Sequence, residues 1–125
     1  METANKILLV EDDLYTRELF EEVLKDAGFF VETAFDGEMG LSKILAGGFD
    51  LILLDVVMPQ MDGLEVLNKL KESAPVKKNG PVVMLTNLSH DPIIKDVLSR
   101  GAAGYLIKSD LTPDTLVKKV KEFLK

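Results

Sequence analysis

The sequence predicts an α/β protein in which one five-stranded parallel sheet carries helices on both faces. Strand-like and helix-like segments alternate five times along the 125 residues. The strand-like runs are short and mostly apolar throughout, as expected of strands that are buried on both faces of a parallel sheet. Such alternation is typical of βαβ units, which right-handed crossovers join into one sheet.

The predicted strands are five short apolar runs. They span residues 6–10, 30–34, 51–54, 82–85 and 104–107. The second run, Phe30-Val31-Glu32-Thr33-Ala34, is the most polar of them. An edge strand tolerates such polarity better than a central one, so we expect this run at an edge of the sheet.

The predicted helices are amphipathic stretches with apolar residues three or four positions apart. The first ends at Gly28 and the second at Gly47-Gly48, which are stop signals. The fourth begins at Asp91-Pro92 and the fifth at Thr112-Pro113, each an N-cap followed by proline. We expect residues 73–81 to form a surface loop. The helix-marking positions are Phe20, Val23, Leu24 and Ala27; Leu41, Ile44 and Leu45; Leu64, Leu67 and Leu70; Ile94, Val97 and Leu98; and Leu116, Val120, Phe123 and Leu124.

Length and composition are those of one domain, which we expect to span residues 1–125. The chain has no cysteine, which excludes disulfides, a thiolate metal site and a cysteine nucleophile. Its formal net charge of −6 disfavours direct contact with nucleic acid. No apolar stretch approaches the ~20 residues of a membrane helix, and the N-terminus lacks the layout of a signal peptide. We therefore expect a cytoplasmic protein.

The acidic residues at the strand ends predict a shared pocket. No Gly-x-Gly-x-x-Gly or Gly-Lys-Ser/Thr loop is present, which weakens the nucleotide-binding interpretations. Five units favour the flavodoxin-like strand order 2-1-3-4-5, which places the first strand beside the third. Glu11-Asp12 and Asp55, which follow these strands, should then face each other. Clustered carboxylates repel one another unless a cation joins them, and magnesium prefers oxygen ligands.

The fourth and fifth strands supply Thr86 and Lys108 at the same end of the sheet. A carboxylate, a divalent cation, a lysine and a hydroxyl are suited to phosphoryl chemistry, because the cation and the ammonium neutralise phosphoryl oxygens. An aspartate such as Asp55 can accept a phosphoryl group covalently.

These residues match a known family. Over about residues 6–124 the chain resembles the receiver domain of two-component response regulators. The matching motifs are Leu9-Val10-Glu11-Asp12, Asp55-x-x-Met58-Pro59-x-Met61-Asp62-Gly63, Leu85-Thr86 and Tyr105-x-x-Lys108. Each motif alone is weak, but the four in this order, all at strand ends, are highly specific.

The resemblance implies a phosphorelay switch and not an enzyme with a turnover function. A histidine kinase or histidine phosphotransfer protein would donate the phosphoryl group to Asp55 with Mg²⁺ as cofactor, and the receiver would catalyse this transfer and a slow dephosphorylation. Phosphorylation would alter the face formed by the fourth helix, fifth strand and fifth helix, and this face would signal to an effector protein or output domain. Residues 87–90 would shift with Thr86.

The resemblance also implies a role for each residue of the pocket. Asp12 and Asp55 would bind magnesium directly and Glu11 through water, with the backbone carbonyl of Val57 as a further ligand. Thr86 and Lys108 would contact the phosphoryl oxygens, and Tyr105 would be the aromatic switch. Asp13 lies outside this set and is expected mainly to cap the first helix.

One position departs from the family pattern, and two alternative functions stay open. The family usually has proline after the lysine, often with a cis bond, whereas this chain has Ser109. We expect a trans Lys108–Ser109 bond, because a cis bond before a non-proline residue costs about 2.5–4 kcal/mol. One alternative is an interaction module that works without phosphorylation. The other is an aspartate-nucleophile hydrolase, which Val57 disfavours because such enzymes usually have a second aspartate there.

Overall fold

The computed structural model describes residues 4–87 and 91–125, and the side chains of the fourth helix from Ile94 onward. Strands and helices alternate along the chain as predicted. The strands are β1 (Lys6–Val10), β2 (Phe30–Ala34), β3 (Leu51–Asp55), β4 (Val82–Thr86) and β5 (Gly104–Ile107). The helices are α1 (Leu14–Asp26), α2 (Gly37–Ala46), α3 (Gly63–Glu72), α4 (Asp91–Ser99) and α5 (Pro113–Leu124), and a short 3-10 turn spans Lys108–Asp110.

The five strands form one parallel sheet in the order β2-β1-β3-β4-β5, which confirms the predicted fold class. β3 and β4 each extend one residue further than predicted, so Asp55 and Thr86 are the last residues of their strands. In the register of the sheet, Val10 lies opposite Leu54 and Asp55 opposite Leu85. The residues that follow β1, β3 and β5 therefore meet at one end of the sheet, which we call the carboxyl end; the opposite end is the amino end.

The sheet separates two hydrophobic layers, as the doubly wound arrangement requires. Alternate residues of β1 point to opposite faces: Leu8 packs with α2 and α3, and Leu9 packs with α1 and α5. β3 is buried along its whole length, from Leu51 to Asp55. Burial on both faces explains why this strand is a continuous apolar run in the sequence.

The predicted edge position of β2 is confirmed, since β2 pairs with β1 and ends the strand order. Its central residue Glu32 lies in ion pairs with Lys6 at 2.9 Å and Lys43 at 3.6 Å. Charged side chains on an edge strand discourage pairing with another chain.

Side-chain caps set most of the helix starts. Asp13 accepts from the Thr16 amide at 2.9 Å to begin α1, and Thr112 forms a capping box with Thr115 to begin α5. The Thr112 prediction is confirmed. The prediction for Asp91 is wrong by one position, because α4 begins at Asp91 itself and its cap falls outside the described residues. Aspartate suits the first helical turn as well as the cap, so composition alone did not separate the two.

The loop over residues 73–81 is largely exposed, as predicted, but it is also tied to the loop before β3 at the amino end. The Asn79 side chain accepts from the Phe49 amide at 3.0 Å and donates to the Ile44 carbonyl at 2.9 Å. The Gly80 amide donates to the Phe49 carbonyl at 2.7 Å. Within the described part of the chain, every helix is too short or too polar to cross a bilayer.

Candidate functional site

Three acidic side chains converge at the carboxyl end of the sheet. Glu11 and Asp12 lie in the turn between β1 and α1, and Asp55 is the last residue of β3. One carboxylate oxygen from each of the three lies within 4.8 Å of the others. Glu11 is 0% exposed and Asp55 is 2% exposed, whereas Asp12 is exposed. The strand order therefore brings together acids that are more than forty positions apart in the sequence.

Lys108 joins this cluster from the end of β5. Its Nζ lies 2.9 Å from Glu11 Oε1 and 2.9 Å from Asp55 Oδ2. The Lys108 side chain is only 15% exposed. One ammonium thus bridges two buried carboxylates, and the third carboxylate, Asp12, lies beside them without this bridge.

The pocket holds more negative charge than Lys108 balances. Burial raises the pKa of Glu11, and the neighbouring Asp55 raises it further, against the lowering effect of Lys108. Partial desolvation and the neighbouring Glu11 raise the pKa of Asp12. Burial alone would lower the pKa of Lys108, but its bonds to Asp55 and Glu11 outweigh burial and raise it. A further cation at this point would offset both the burial and the repulsion that raise the two carboxyl pKa values.

Backbone groups and one more cation hold the acids in place. The Val57 amide donates to Asp55 Oδ1 at 3.3 Å, and the Asp13 amide donates to Glu11 Oε2 at 3.1 Å. Arg17 Nη1 donates to the carbonyl oxygens of Glu11 at 2.9 Å and Asp12 at 3.3 Å. The sequence reasoning missed Arg17. Its one local signal is a cation near the start of a helix, where the macrodipole disfavours positive charge.

Of the remaining predicted residues, Thr86 and Val57 lie at the same end of the sheet, whereas Tyr105 lies opposite Met84 in the middle of β4. Thr86 ends β4 and is buried. Val57 is 63% exposed, and Tyr105 on β5 is 37% exposed. Asp13 caps α1 as expected, and its bond from the Thr16 hydroxyl lowers the pKa of its carboxyl. Residues 87–90 are expected to shift with Thr86, and residues 88–90 of this loop lie outside the described residues.

The Lys108–Ser109 peptide bond is trans, which confirms the prediction for this position. Among residues 4–87 and 91–125 no peptide bond is cis. The chain instead forms the 3-10 turn over Lys108–Asp110, in which the Leu111 amide donates to the Lys108 carbonyl at 3.2 Å. With serine at position 109 and a trans bond, Lys108 still reaches Glu11 and Asp55.

Comparisons with known proteins agree with this geometry. A family model described as the response regulator receiver domain matches residues 7–121. The chain belongs to this family. The solved chemotaxis response regulator CheY4 of Vibrio cholerae superposes with a TM-score of 0.86 at 35% identity, covering 97% of this chain and 99% of that one.

Two curated relatives show the range of proteins to which the chain is similar. The transcriptional regulatory protein DltR of Streptococcus agalactiae is 34% identical over 116 residues, which is 93% of this chain and 50% of DltR. The chemotaxis protein CheY of Treponema pallidum is 33% identical over 106 residues, which is 82% of this chain and 72% of that protein. The chain thus spans about half the length of DltR. Receiver domains are signalling switches that interact with histidine kinases or phosphotransfer proteins and with output domains.

The donor set fits the magnesium ion that receiver domains bind in their acidic pocket. Glu11, Asp12 and Asp55 present hard carboxylate oxygens close enough together to share one ion. The exposed position of Asp12 leaves one side of the cluster open to water, which magnesium usually keeps in its coordination shell.

Proposed function

We propose that residues 1–125 form a single receiver domain that accepts a phosphoryl group on Asp55 from the phosphohistidine of a histidine kinase or histidine phosphotransfer protein. One observation carries the proposal: Lys108 bridges Glu11 and Asp55 directly beside Asp12. A structural aspartate would need neither a buried lysine on its carboxylate nor two further acids within reach.

Magnesium is the cofactor of this proposal. Asp12 and Asp55 would bind the ion directly, Glu11 through water, and the backbone carbonyl of Val57 would complete the protein ligands. When bound, the ion neutralises charge on the phosphoryl oxygens. The raised pKa values of Glu11 and Asp12 support this assignment, because burial and then the neighbouring carboxylates disfavour their negative charge, which a bound cation would stabilise.

The chain's own residues carry out the transfer. A carboxylate oxygen of Asp55 attacks the phosphorus, and an O–P bond forms as the P–N bond to the imidazole breaks. The electron pair of the broken bond stays on the imidazole nitrogen. Lys108, which already lies 2.9 Å from Asp55 Oδ2, would then pair with the phosphoryl oxygens, and the hydroxyl of Thr86 would donate to them.

The readout is a change in the face formed by α4, β5 and α5. When Thr86 turns toward the phosphoryl group, Tyr105 would rotate inward beside it, and Asn87 would move with Thr86. The partial exposure of Tyr105 supports this role, because a side chain already packed inside could not make that movement. Phosphorylation shifts this equilibrium only by its different affinity for the two states. An effector protein or an output domain would bind the altered face.

We further propose a cytoplasmic location, with no direct contact to nucleic acid or membrane. The acidic net charge of −6 supports the first exclusion. The absence of cysteine suits a reducing compartment.

The test is phosphorylation by a labelled small acyl phosphate in the presence of magnesium. We expect an acid-labile label on the wild type that is lost in Asp55→Asn and when magnesium is chelated. Asp26→Asn is the matched control, because Asp26 is an exposed carboxylate at the far end of α1. Its label should equal that of the wild type. Label that persists in Asp55→Asn would remove Asp55 from the role.

Magnesium titration separates this proposal from its alternatives. A phosphorylation-independent module would show no specific magnesium binding and no label. A hydrolase would show sustained turnover of a phosphate ester, where the receiver shows one phosphoryl group per chain.

A further inference from the structure

Arg17 occupies an unusual position for a cation. It lies at the fourth residue of α1, one turn after the Asp13 cap. Its guanidinium reaches back past the start of the helix to the Glu11 carbonyl at 2.9 Å and the Asp12 carbonyl at 3.3 Å. Both carbonyls belong to the turn that carries the two acids of the pocket.

The helix itself does not account for this arginine. The positive end of the helix dipole disfavours a cation in this part of a helix. Among the described residues, Arg17 has no carboxylate within ion-pair distance, whereas Lys25 at the other end of α1 pairs with Glu21 at 2.9 Å. The interactions that the structure gives to Arg17 are therefore with the backbone of the β1–α1 turn.

That turn needs fixing, because its two acids repel each other. Glu11 and Asp12 are adjacent in sequence, and one carboxylate oxygen of each lies within 4.8 Å of the other and of Asp55. The Glu11 amide is held by the Ala34 carbonyl at 3.0 Å, and the Asp13 amide by Glu11 Oε2 at 3.1 Å. Arg17 holds the carbonyl groups of the next two peptide units, and the second of these also contains the Asp13 amide. Holding these peptide units limits how far repulsion can turn the backbone that carries the Asp12 carboxylate.

We propose that Arg17 is a positioning residue for the magnesium site: by binding the Glu11 and Asp12 carbonyls, it presets the carboxylates for the ion. The inference rests on the proposed function of these acids as magnesium ligands. Groups that orient metal ligands without touching the metal contribute strongly to metal affinity. Their loss typically weakens metal binding about 10- to 100-fold.

A simple electrostatic role for Arg17 predicts the opposite sign. A guanidinium near the pocket repels a divalent cation, so its removal would strengthen magnesium binding if charge alone mattered. If Arg17 positions the turn, its removal weakens binding although one positive charge has been lost. The direction of the change in magnesium affinity therefore separates the two roles.

The experiment measures the magnesium dissociation constant by calorimetry for the wild type, Arg17→Met, Arg17→Lys and Lys25→Met. Lys25→Met is the matched control, because it removes one cation from the same helix at the amino end of the sheet. We expect Arg17→Met to bind about tenfold more weakly, Arg17→Lys to lie between it and the wild type, and Lys25→Met to match the wild type.

A second readout needs no metal. Hydrogen exchange of the Asp13 amide, which donates to Glu11 Oε2, should accelerate in metal-free Arg17→Met and stay unchanged in Lys25→Met. Thermal unfolding identifies a temperature at which every variant is folded. If Arg17→Met is too unstable to measure, weaker magnesium binding by Arg17→Lys, which keeps the charge, tests the positioning role instead.

Equal or tighter magnesium binding in folded Arg17→Met overturns the inference, as does an Arg17→Lys variant indistinguishable from the wild type when Arg17→Met cannot be measured. These failures differ from failure of the proposed function. In that case the wild type itself binds no magnesium at the pocket, and Asp12→Asn leaves the titration unchanged.

Discussion

The two ends of the sheet are held together by different kinds of interaction. At the carboxyl end, β1, β3 and β5 are joined by charges, with Lys108 between Glu11 and Asp55 at 2.9 Å from each. At the amino end, the loops before β3 and β4 are joined by neutral groups. The Asn79 side-chain amide there accepts from the Phe49 backbone amide and donates to the Ile44 carbonyl. The Gly80 backbone amide donates to the Phe49 carbonyl.

This difference distinguishes the amino end, which supports the fold, from the carboxyl end, which carries the candidate site. The polar groups that join the loops at the amino end have partners whatever ions are present, so that end contributes a fixed stability. The carboxyl end keeps carboxylates whose pKa values are raised, so its energy depends on which cation it holds. We therefore expect changes at the amino end to alter folding alone, and changes at the carboxyl end to alter the response to magnesium and phosphorylation.

The largest effect on folding should come from Gly47→Ala at the amino end. Gly47 has φ of 81°, and a Cβ atom there would collide with the Lys77 backbone carbonyl. Strain and collision together should cost about 3 kcal/mol of unfolding free energy, measured by urea denaturation. Magnesium affinity should be unchanged.

Gly28→Ala is the control for the strain alone. Gly28 has φ of 97°, but a Cβ atom there would have no neighbour within 4 Å. Its cost should be about 1 kcal/mol. Equal costs at the two glycines would show that the close approach of the Lys77 loop does not matter for stability.

The sequence predicted the scaffold better than it predicted the contacts between loops. The run that ends in Asp55 is apolar because β3 is buried on both faces, so a local pattern was enough to find it. The convergence of Glu11, Asp12 and Asp55 followed from strand order, which five βα units favour. The buried strand and the acidic cluster were predictable because both depend on hydrophobic periodicity and strand order, which the sequence pattern indicates.

Interactions made by a single polar side chain could not be predicted from the sequence pattern. Asn79 is a common loop residue, and its two bonds depend on the distance between loops thirty positions apart. Arg17 lies in an amphipathic helix among other charged residues, and only the fold shows that it reaches two carbonyls. The 3-10 turn over Lys108–Asp110 was likewise not predicted, because the sequence indicated only a trans bond before Ser109.

The second prediction tests the neutral contact between the loops before β3 and β4. In Asn79→Asp the side chain can still accept from the Phe49 amide, but it loses its bond to Ile44 and places a carboxylate against that carbonyl. The loss should be about 2 kcal/mol of unfolding free energy. Asn68→Asp, on an exposed position of α3, should change it little. A similar loss in both variants would mean that added negative charge, and not the broken bond, lowers the stability.

The third prediction returns to the carboxyl end. Val57 is apolar, exposed and adjacent to Asp55, since its amide donates to Asp55 Oδ1 at 3.3 Å. In Val57→Asn a polar side chain can hold the water that hydrolyses the acyl phosphate. One such hydrogen bond contributes about 1 kcal/mol, so phosphoryl loss should be about fivefold faster, measured as decay of the label after the donor is removed. Val76→Asn, an exposed valine at the amino end, should decay like the wild type; unchanged or slower decay in Val57→Asn contradicts the prediction.

The smallest effect is also the one that tests the comparison most directly, because its sign should depend on magnesium. The pKa of Asp12 is raised from its ordinary value of 3.8 in the folded protein. A carboxyl with a raised folded-state pKa binds its proton more tightly when folded, so metal-free stability falls as the pH rises from 3.8 through the raised value, and the loss is complete at neutral pH. Asp12→Asn removes this cost and should stabilise the metal-free protein by about 0.5–1 kcal/mol at pH 7, after solvent screening.

In saturating magnesium the wild type should be more stable than Asp12→Asn, the reverse of the metal-free order. The wild type gains stability in proportion to the logarithm of the ion concentration over its dissociation constant, and Asp12→Asn, with one ligand removed, gains much less. Thermal unfolding with chelator and with magnesium measures both conditions, and Asp26→Asn should follow the wild type in each. If Asp12→Asn stays equally more stable in saturating magnesium, Asp12 does not bind the ion, and the carboxyl end would be as indifferent to cations as the amino end.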